Sequence, residues 1–204
     1  MKSEEPQIRK ALENIISTEC NDGFNFVFES IKPLSQPHMN YPGYRTSIHT
    51  TFGKMRDKIQ VDIGVGDIVE PKTQELKLFE YKGKSFFEGE ISLQVYPVET
   101  IFAEKLETVL SKGAVNSRMK DYHDLFLLAQ EKELFDRNNL RQAIKNTFEN
   151  RNKIFESIKF NEEEKATLQV LWNAHYQGLG KIAKDLNLPE QIEDAISIIN
   201  SFLE

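Results

Sequence analysis

The amino-acid sequence predicts an α+β protein in which a mixed β-sheet comes first and a helical half follows. Between residues 24 and 96, short segments rich in aromatic and β-branched residues are separated by prolines and glycines, which is typical of strands and turns. From Pro97 onward the apolar residues recur at helical spacing. We therefore expect two parts, residues 1–96 and residues 97–204, that meet where the periodicity changes.

The first part is expected to open with a helix and to continue as strands. The apolar residues of segment 4–19 fall on one helical face. The clearest strand is 58-KIQVDIGV-65, where the isoleucines and valines share one face and Asp62 lies on the other. The other predicted strands cover residues 24–34, 44–53, 75–81 and 91–96.

The second part is predicted to be helical throughout. Gly113 is expected to end its first helix, because glycine readily adopts the left-handed conformation that follows a helix C-terminus. The predicted helices cover residues 97–112, 118–131, 137–149, 161–175 and 190–203.

The composition narrows the class of protein. The net charge is −6, so general affinity for nucleic acid or an anionic membrane is not expected, and phosphate binding must come from a local basic patch. The single cysteine, Cys20, cannot form an internal disulfide, which favours a reducing compartment. No apolar run approaches the roughly 18 residues of a transmembrane helix, and the first residues lack the apolar core of a signal peptide. We expect a soluble, cytoplasmic protein without a membrane partner.

Lys105 lies in the middle of an apolar helical stripe in 97-PVETIFAEKLETVLSK-112, with Ile101 and Val109 one turn before and after it. An unpaired ammonium is costly to bury, so its position needs an explanation. Its stem could run along the surface to water. It could instead pair with a buried carboxylate, or point at the phosphate of a ligand. The sequence leaves these three explanations open.

The next predicted helix carries two aspartates one turn apart, Asp121 and Asp124, in the segment 116-NSRMKDYHDLFLL-128. Two carboxylates on one side of a helix can bind a divalent metal, orient a lysine or act as a base. Negative charge in a first helical turn also stabilises the helix dipole, and that interpretation stays open. Basic residues that could hold phosphate groups lie close by in the sequence: Lys112, Arg118 and Lys120.

Other polar residues give weaker signals. Asp62 is a third candidate carboxylate, because it lies on the polar face of a strand that leads into glycines, where a ligand can approach the backbone closely. A zinc site is not expected, because the histidines show no metal-ligand spacing with one another or with the cysteine. The histidines are His38, His49, His123 and His175.

The spacing of these residues resembles the AbiEii/AbiGii nucleotidyl transferase toxin family. The family pattern is a lysine, an apolar spacing and then an Arg-x-Lys-Asp-x-x-Asp-apolar run, as in Lys105 followed by 118-RMKDYHDL-125. The lead-in 97-PVETIFAEKLETVL-110 fits the same pattern. The segment 59-IQVDIGVGD-67 resembles the strand that bears the last carboxylate of a polymerase-β-like nucleotidyltransferase site. The likeness covers roughly residues 5–130.

The resemblance implies a nucleotidyltransferase fold in which a nucleotidyl group passes from an NTP, with Mg²⁺, to a hydroxyl of a protein or an RNA, for some members at a tRNA end. It also implies a toxin–antitoxin or phage abortive infection system, and hence a cognate antitoxin. Two metal ions would stabilise the attacking and leaving oxygens. The implied roles are phosphate contact for Lys105, base or orienting carboxylate for Asp121, support of that helix for Asp124, phosphate binding for Arg118 or Lys120, and metal binding for Asp62.

Members of this family normally carry a Gly-Gly/Ser stretch and an Asp-x-Asp pair ahead of the first helix, and neither pattern occurs in this sequence. We therefore expect a nucleotidyltransferase-like part that lacks this segment. Transfer activity is expected to be weakened or lost unless a longer product or another chain supplies the segment. A module that binds nucleotide, RNA or an antitoxin without turnover is the alternative.

A magnesium-dependent nuclease is a further alternative. Asp62 and 80-EYK-82 resemble the D…ExK arrangement of restriction-type nucleases, in which two carboxylates hold Mg²⁺ and a lysine polarises the attacking water. That arrangement gives Lys105 and the aspartates after it no role. The two hypotheses therefore differ in which lysine is required, Lys105 or Lys82.

Overall fold

The computed structural model describes residues 5–34, 43–65, 70–77, 80–85 and 90–204. Antiparallel strands precede a mainly helical region, so the predicted α+β class is confirmed. The chain divides into two compact units, which we call the N-terminal unit (residues 1–67) and the C-terminal unit (residues 68–204), and each is described by itself. The change from strand to helix follows Val95, inside the C-terminal unit. As a domain boundary, the division after residue 96 stays a prediction.

In the N-terminal unit the described residues form one helix and three strands: α1 (Glu5–Ile16), β1 (Phe24–Leu34), β2 (Gly43–Phe52) and β3 (Met55–Ile63). The strands form an antiparallel sheet in the order β1-β2-β3. Helix α1 packs on β1, where the guanidinium of Arg9 lies 4.8 Å from the centre of the Phe28 ring. The predicted helix and all three predicted strands of this unit are therefore present, with ends that differ by a few residues.

A two-residue turn joins β2 to β3 and sets their register. Gly53 lies in this turn with φ of 56°, a conformation that glycine adopts without steric strain. Phe52 pairs with Met55 across the turn, and the register continues without a shift along both strands. This register places Asp62 directly opposite Arg45.

The apolar side chains of this sheet are only partly covered. Tyr44 and Ile48 on β2 are buried, with exposures of 5% and 7%. Ile59 and Val61, which share the predicted apolar face of β3, are 41% and 36% exposed. The alternating pattern thus predicts the strand and its two faces correctly, but it does not determine how far the apolar face is buried.

The C-terminal unit begins with four short strands: β4 (Lys72–Lys77), β5 (Glu80–Tyr81), β6 (Lys84–Ser85) and β7 (Glu90–Val95). They form two antiparallel pairs, β4 with β7 and β5 with β6. Lys82 and Gly83 between β5 and β6 have φ of 52° and 72°, which is typical of the tight type I′ turn of a hairpin. The predicted strand over 75–81 therefore overlaps two separate strands, β4 and β5.

Six helices follow: α2 (Val98–Lys112), α3 (Met119–Gln130), α4 (Arg137–Asn150), α5 (Glu162–Leu179), α6 (Lys181–Asp185) and α7 (Ile192–Leu203). Gly113 has φ of 54° and ends α2, as predicted. Helix α5 continues past its predicted end at residue 175 to Leu179, and Gly180, which has φ of 56°, follows it. Helix α6 was not predicted, because five residues are too few to show a helical period. None of the helices that the structure describes is long and apolar enough to cross a membrane.

The hydrophobic core of the C-terminal unit lies between these helices. Helix α2 packs against α3 and α4, and α3 packs against α7. The rings of Phe102, Phe135 and Phe202 form a cluster with centroid separations of 5.1 to 5.6 Å. This packing holds α2 against α3, which carry the residues of the candidate site. One face of α3 is buried in full and consists of Met119, Tyr122, Leu125, Phe126 and Ala129.

Candidate functional site

The packing of α2 against α3 brings Lys105 to the two aspartates of the motif. The Nζ atom of Lys105 lies 2.6 Å from Oδ2 of Asp124 and 3.5 Å from Oδ1 of Asp121. Leu106 and Val109 explain this position, because both are buried in the core and hold their side of α2 in place. One lysine therefore contacts both carboxylates.

The side chain of Lys105 is partly buried, with 24% of its surface exposed. Of the three explanations that the sequence leaves open, pairing with a carboxylate is the one that the structure shows. The exposed fraction leaves part of the side chain in contact with solvent, so a ligand can approach it without opening the core. A role for Lys105 in ligand binding stays a prediction.

Asp121 lies between two cations in the first turn of α3. Only 3% of its side chain is exposed. Its Oδ1 atom faces Lys105, and Nε of Arg118 lies 3.3 Å from its Oδ2 atom. Within the described part of the chain, Oδ2 accepts no hydrogen bond. Asp121 is therefore fixed by its surroundings and retains one oxygen atom that can accept a proton or a hydrogen bond.

The other predicted members of the site lie nearer the surface. The side chains of Asp124 and Arg118 are 40% and 52% exposed. Lys120 is also exposed. Neither Lys120 nor Lys112 forms an ion pair with any residue that the structure describes. Among the described residues, these two lysines therefore have no carboxylate that competes with an anionic ligand.

Asn116 is a member of the site that the sequence analysis did not single out. It is fully buried, and its Oδ1 atom accepts a hydrogen bond of 3.0 Å from the backbone N–H of Arg118. An asparagine that bonds the backbone two residues later is typical of the turn before a helix, so the Asn-Ser-Arg sequence carried a signal for this contact. Asn116 fixes the backbone from which Arg118 reaches Asp121.

A pair of histidines beside the site was also missed. Nδ1 of His123 on α3 lies 3.2 Å from Nε2 of His175 on α5. Burial lowers the pKa of His123, although the nearby charge of Asp124 opposes this effect. Burial also lowers the pKa of His175, and the neighbouring His123 lowers it further. The two residues are 52 positions apart, so no local sequence pattern could have revealed the contact.

Asp62 lies in the N-terminal unit and forms a two-pronged pair with Arg45. Nε of Arg45 donates to Oδ1 of Asp62 and Nη2 donates to Oδ2, both at 2.7 Å. These hydrogen bonds lower the pKa of Asp62. About half of each side chain is exposed, at 48% for Arg45 and 50% for Asp62. Both carboxylate oxygens are therefore already engaged by a cation.

The described residues do not fit the two-metal site that the resemblance implies. No three Asp, Glu, His or Cys side chains in the described ranges are grouped so that they could hold a metal ion. Asp62 alone cannot supply the oxygen ligands that Mg²⁺ requires, and its oxygens face Arg45. Metal binding by Asp62 stays a prediction, and we derive no chemical step through a metal.

Parts of two predicted motifs lie outside the described residues. They are Gly66 and Asp67 of the strand motif and the side chain of Glu80 in the nuclease-like pattern. The D…ExK interpretation therefore stays a prediction.

Comparison with known families gives a match over most of the chain. A family model described as "Nucleotidyl transferase AbiEii toxin, Type IV TA system" matches residues 2–196. The match covers both units. It includes every residue of what we call the α2–α3 site: Lys105, Asn116, Arg118, Lys120, Asp121 and Asp124. Comparison with curated proteins finds no matching relative.

Proposed function

Since the chain belongs to the AbiEii nucleotidyl transferase toxin family, we propose that the α2–α3 site binds the phosphates of an NTP. Where a longer product or another chain supplies the missing Asp-x-Asp segment, the site serves nucleotidyl transfer to a hydroxyl group. The observation that carries this proposal is the position of Lys105 between a buried carboxylate and an exposed one.

Lys105 is the phosphate contact. Asp124 lies at the surface and can move away from Lys105, because 40% of its side chain is exposed. Asp121 cannot move in the same way, because its side chain is 3% exposed. A phosphate oxygen can therefore replace Asp124 at the ammonium while Asp121 keeps Lys105 in position. The guanidinium of Arg118 and the ammonium of Lys120 supply further positive charge at the start of the same helix.

Asp121 is the residue that orients the acceptor and takes its proton. In the transfer, the acceptor hydroxyl oxygen forms a bond to the α-phosphorus, and the bond from that phosphorus to pyrophosphate breaks. The hydroxyl proton passes to the carboxylate of Asp121. Its Oδ2 atom accepts no hydrogen bond among the described residues, and it becomes accessible when the exposed guanidinium of Arg118, 3.3 Å away, turns toward the phosphates. The negative charge that develops on the phosphates lies next to Lys105 and Arg118.

The biological partners follow from the family. A toxin of a type IV toxin–antitoxin system is expected to have a cognate antitoxin. The acceptor is expected to be an RNA hydroxyl, for which tRNA is the first substrate to test, or a protein hydroxyl. Binding without turnover uses the same phosphate contacts, so the two functions differ only in whether product forms.

A thermal-shift titration with each NTP, with and without Mg²⁺, tests the phosphate site. At about 100 times its dissociation constant a ligand adds about 2.7 kcal/mol, which is a rise in Tm of roughly 5–10 °C for a chain of this size. We expect one NTP to raise the Tm of the wild type, and Lys105→Ala to abolish that rise. Lys181→Ala is the matched control, since it removes an exposed ammonium from α6, which carries none of the site residues.

Transfer of a labelled nucleotidyl group to tRNA separates catalysis from binding. Label incorporation that Asp121→Asn abolishes, with the NTP-dependent rise in Tm retained, supports the transferase. A rise in Tm without incorporation supports the binding module instead. No rise with any NTP would contradict both. Mg²⁺-dependent cleavage of RNA or DNA that is lost in Lys82→Ala and unchanged in Lys105→Ala would favour the nuclease.

A further inference from the structure

The two outer strands of the N-terminal sheet differ in how well their free edges are protected. Strand β1 contains Pro33, and its register with β2 shifts between Phe28 and Ser30. A proline and a bulge both prevent a further strand from pairing with an edge. Strand β3 has neither feature, and its register is regular over its nine residues.

The backbone of β3 presents hydrogen-bonding groups on its outer side. In an antiparallel pair, successive residues direct their N–H and C=O groups alternately toward the neighbouring strand and away from it. Because Met55 closes the tight turn opposite Phe52, the odd-numbered residues of β3 face β2. The backbone N–H and C=O groups therefore face outward at the even-numbered residues, which are Arg56, Lys58, Gln60 and Asp62. The N–H of Lys58 bears this out, because it donates to Oδ1 of the adjacent Asp57 at 2.7 Å instead of to β2.

The side chains of β3 leave this edge accessible and, apart from Asp57, apolar on one face. Met55, Ile59 and Val61 are 71%, 41% and 36% exposed. Charged side chains usually protect an edge, but two of those on β3 turn back across the sheet. Lys58 reaches Glu29 at 2.6 Å, and Asp62 is held by Arg45. Among the described residues no strand pairs with the outer side of β3.

We propose that β3 is an interaction surface for a second copy of this chain, and that two β3 strands pair antiparallel about a twofold axis at Ile59. This register sets Ile59 opposite the partner's Ile59, in the closely spaced type of pair that favours side-chain contact. It sets Lys58 opposite Gln60 of the partner subunit and Arg56 opposite the partner's Asp62. The two sheets become one sheet of six strands.

The sequence of β3 makes a second copy the best-matched occupant. Residues related by the axis are apolar with apolar at Ile59, and cationic with anionic at Arg56 and Asp62. The pairs match at every position of the strand except Asp57, which lies opposite the partner's Val61. The carboxylate of Asp62 then lies between Arg45 of its own sheet and Arg56 of the partner subunit. The same charges in a parallel arrangement would place like charges side by side, which is unfavourable. The contact area of one strand is small, so the dimer is expected to depend on protein concentration.

Sedimentation equilibrium of the full chain over a range of concentrations tests the association. We expect the mass to rise from 23.6 kDa toward twice that value. Gln60→Pro removes an outward N–H while leaving the bonds to β2 intact, so it should give a monomer at all concentrations. Gln60→Ala is the matched control and should associate like the wild type. A wild type that stays monomeric, or a Gln60→Pro variant that still dimerises, overturns the proposal.

Disulfide cross-linking tests the register and does not depend on the proline variant. In a Cys20→Ser background, Ile59→Cys places two thiols opposite each other at the axis, within the range of a disulfide. Met55→Cys is the control: it is more exposed, but in this register the two copies lie about 27 Å apart along the strand. Mild oxidation should cross-link the Ile59→Cys protein and leave the Met55→Cys protein monomeric. Equal cross-linking of both, or of neither, contradicts the proposal.

Discussion

The two units of the chain each hold an aspartate against a basic side chain, but in different surroundings. In the N-terminal unit, Asp62 meets Arg45 on a sheet surface where half of the aspartate side chain is exposed. In the C-terminal unit, Asp121 meets Lys105 and Arg118 between two packed helices and is 3% exposed. Water screens the first ion pair and is largely excluded from the second. The same kind of ion pair therefore contributes a different free energy in each unit.

Buried charge pairs recur throughout the C-terminal unit. Glu107 is 4% exposed and receives hydrogen bonds from Ser111, Arg151 and Lys153. Glu99 is 3% exposed and lies 3.2 Å from the ammonium of Lys72. Each of these acids therefore retains hydrogen-bond donors where water is scarce, which a buried carboxylate requires. The comparison teaches that the C-terminal unit depends on an apolar core and on matched buried charges, whereas the N-terminal unit carries its charge pairs at the surface.

The largest effect on the free energy of unfolding is expected when a core phenylalanine is replaced, and an exposed phenylalanine provides the comparison. Phe102 is fully buried, whereas Phe24 is 51% exposed. Phe102→Ala should lower the free energy of unfolding by about 3–5 kcal/mol, because it leaves a cavity in the aromatic cluster. Phe24→Ala should lower it by about 1 kcal/mol, because only part of the ring leaves an apolar contact. Urea unfolding followed by circular dichroism measures both.

The single tryptophan, Trp172, lies in the core of the C-terminal unit and reports on that unit alone. Its fluorescence transition should move to lower urea in Phe102→Ala and stay near the wild-type midpoint in Phe24→Ala. If circular dichroism shows that the two variants lose the same free energy of unfolding, the difference in burial between the units has no energetic consequence.

Replacing Glu107 is expected to lower the free energy of unfolding by a smaller amount, and that amount should depend on pH. Burial by itself would raise the pKa of Glu107, but hydrogen bonds from Ser111, Lys153 and Arg151 outweigh it, so the pKa is lowered. Glu107→Gln should destabilise the protein by about 1–3 kcal/mol at pH 7, because it removes bonds between a carboxylate and two cations.

The sign of the pH dependence follows from the lowered pKa. The contribution of the carboxylate is complete above about pH 4.5, the ordinary pKa of a glutamate, and is lost as the pH falls through the lower folded value. The difference in unfolding free energy between wild type and Glu107→Gln should therefore shrink as the pH falls below 4.5. A difference that stays constant over this range would contradict the assignment.

The smallest effect is expected for the exposed pair. Asp62→Asn should leave Tm indistinguishable from that of the wild type at physiological salt, because solvated ion pairs contribute little to stability. Arg45→Ala is the companion variant and should likewise leave Tm unchanged. Differential scanning calorimetry measures Tm for both variants. A loss comparable to that of Glu107→Gln would mean that Asp62 is more strongly coupled to the fold than its exposure implies.

The secondary structure was largely predictable, because periodicity and breaking residues are local properties. The helix over 97–112 and the strand over 24–34 agree with α2 and β1 to within a residue or two. Gly113 ended its helix where predicted. The β5–β6 hairpin and α6 are not predicted from the sequence. A periodic pattern must repeat to be recognised, and elements of two to five residues are too short for a repeat.

Part of the candidate site could also be predicted. Lys105, Asp121 and Asp124 were chosen from their spacing, and the structure brings them together. The sequence could not show that Asp121 would be buried and Asp124 exposed, because that depends on how α2 and α3 pack. It could not find the contact between His123 and His175 either, since helices remote in sequence supply the two rings.

The sequence by itself determined the α+β class, most element boundaries, the family and the identity of the charged residues on α2 and α3. Each of these depends on neighbouring residues, which fix backbone preference and the face on which a side chain lies. Only the tertiary structure decided which carboxylate Lys105 binds, which charges are buried and which strand edge stays open. Those properties depend on packing between segments distant in the chain, where burial sets the strength of every charge interaction.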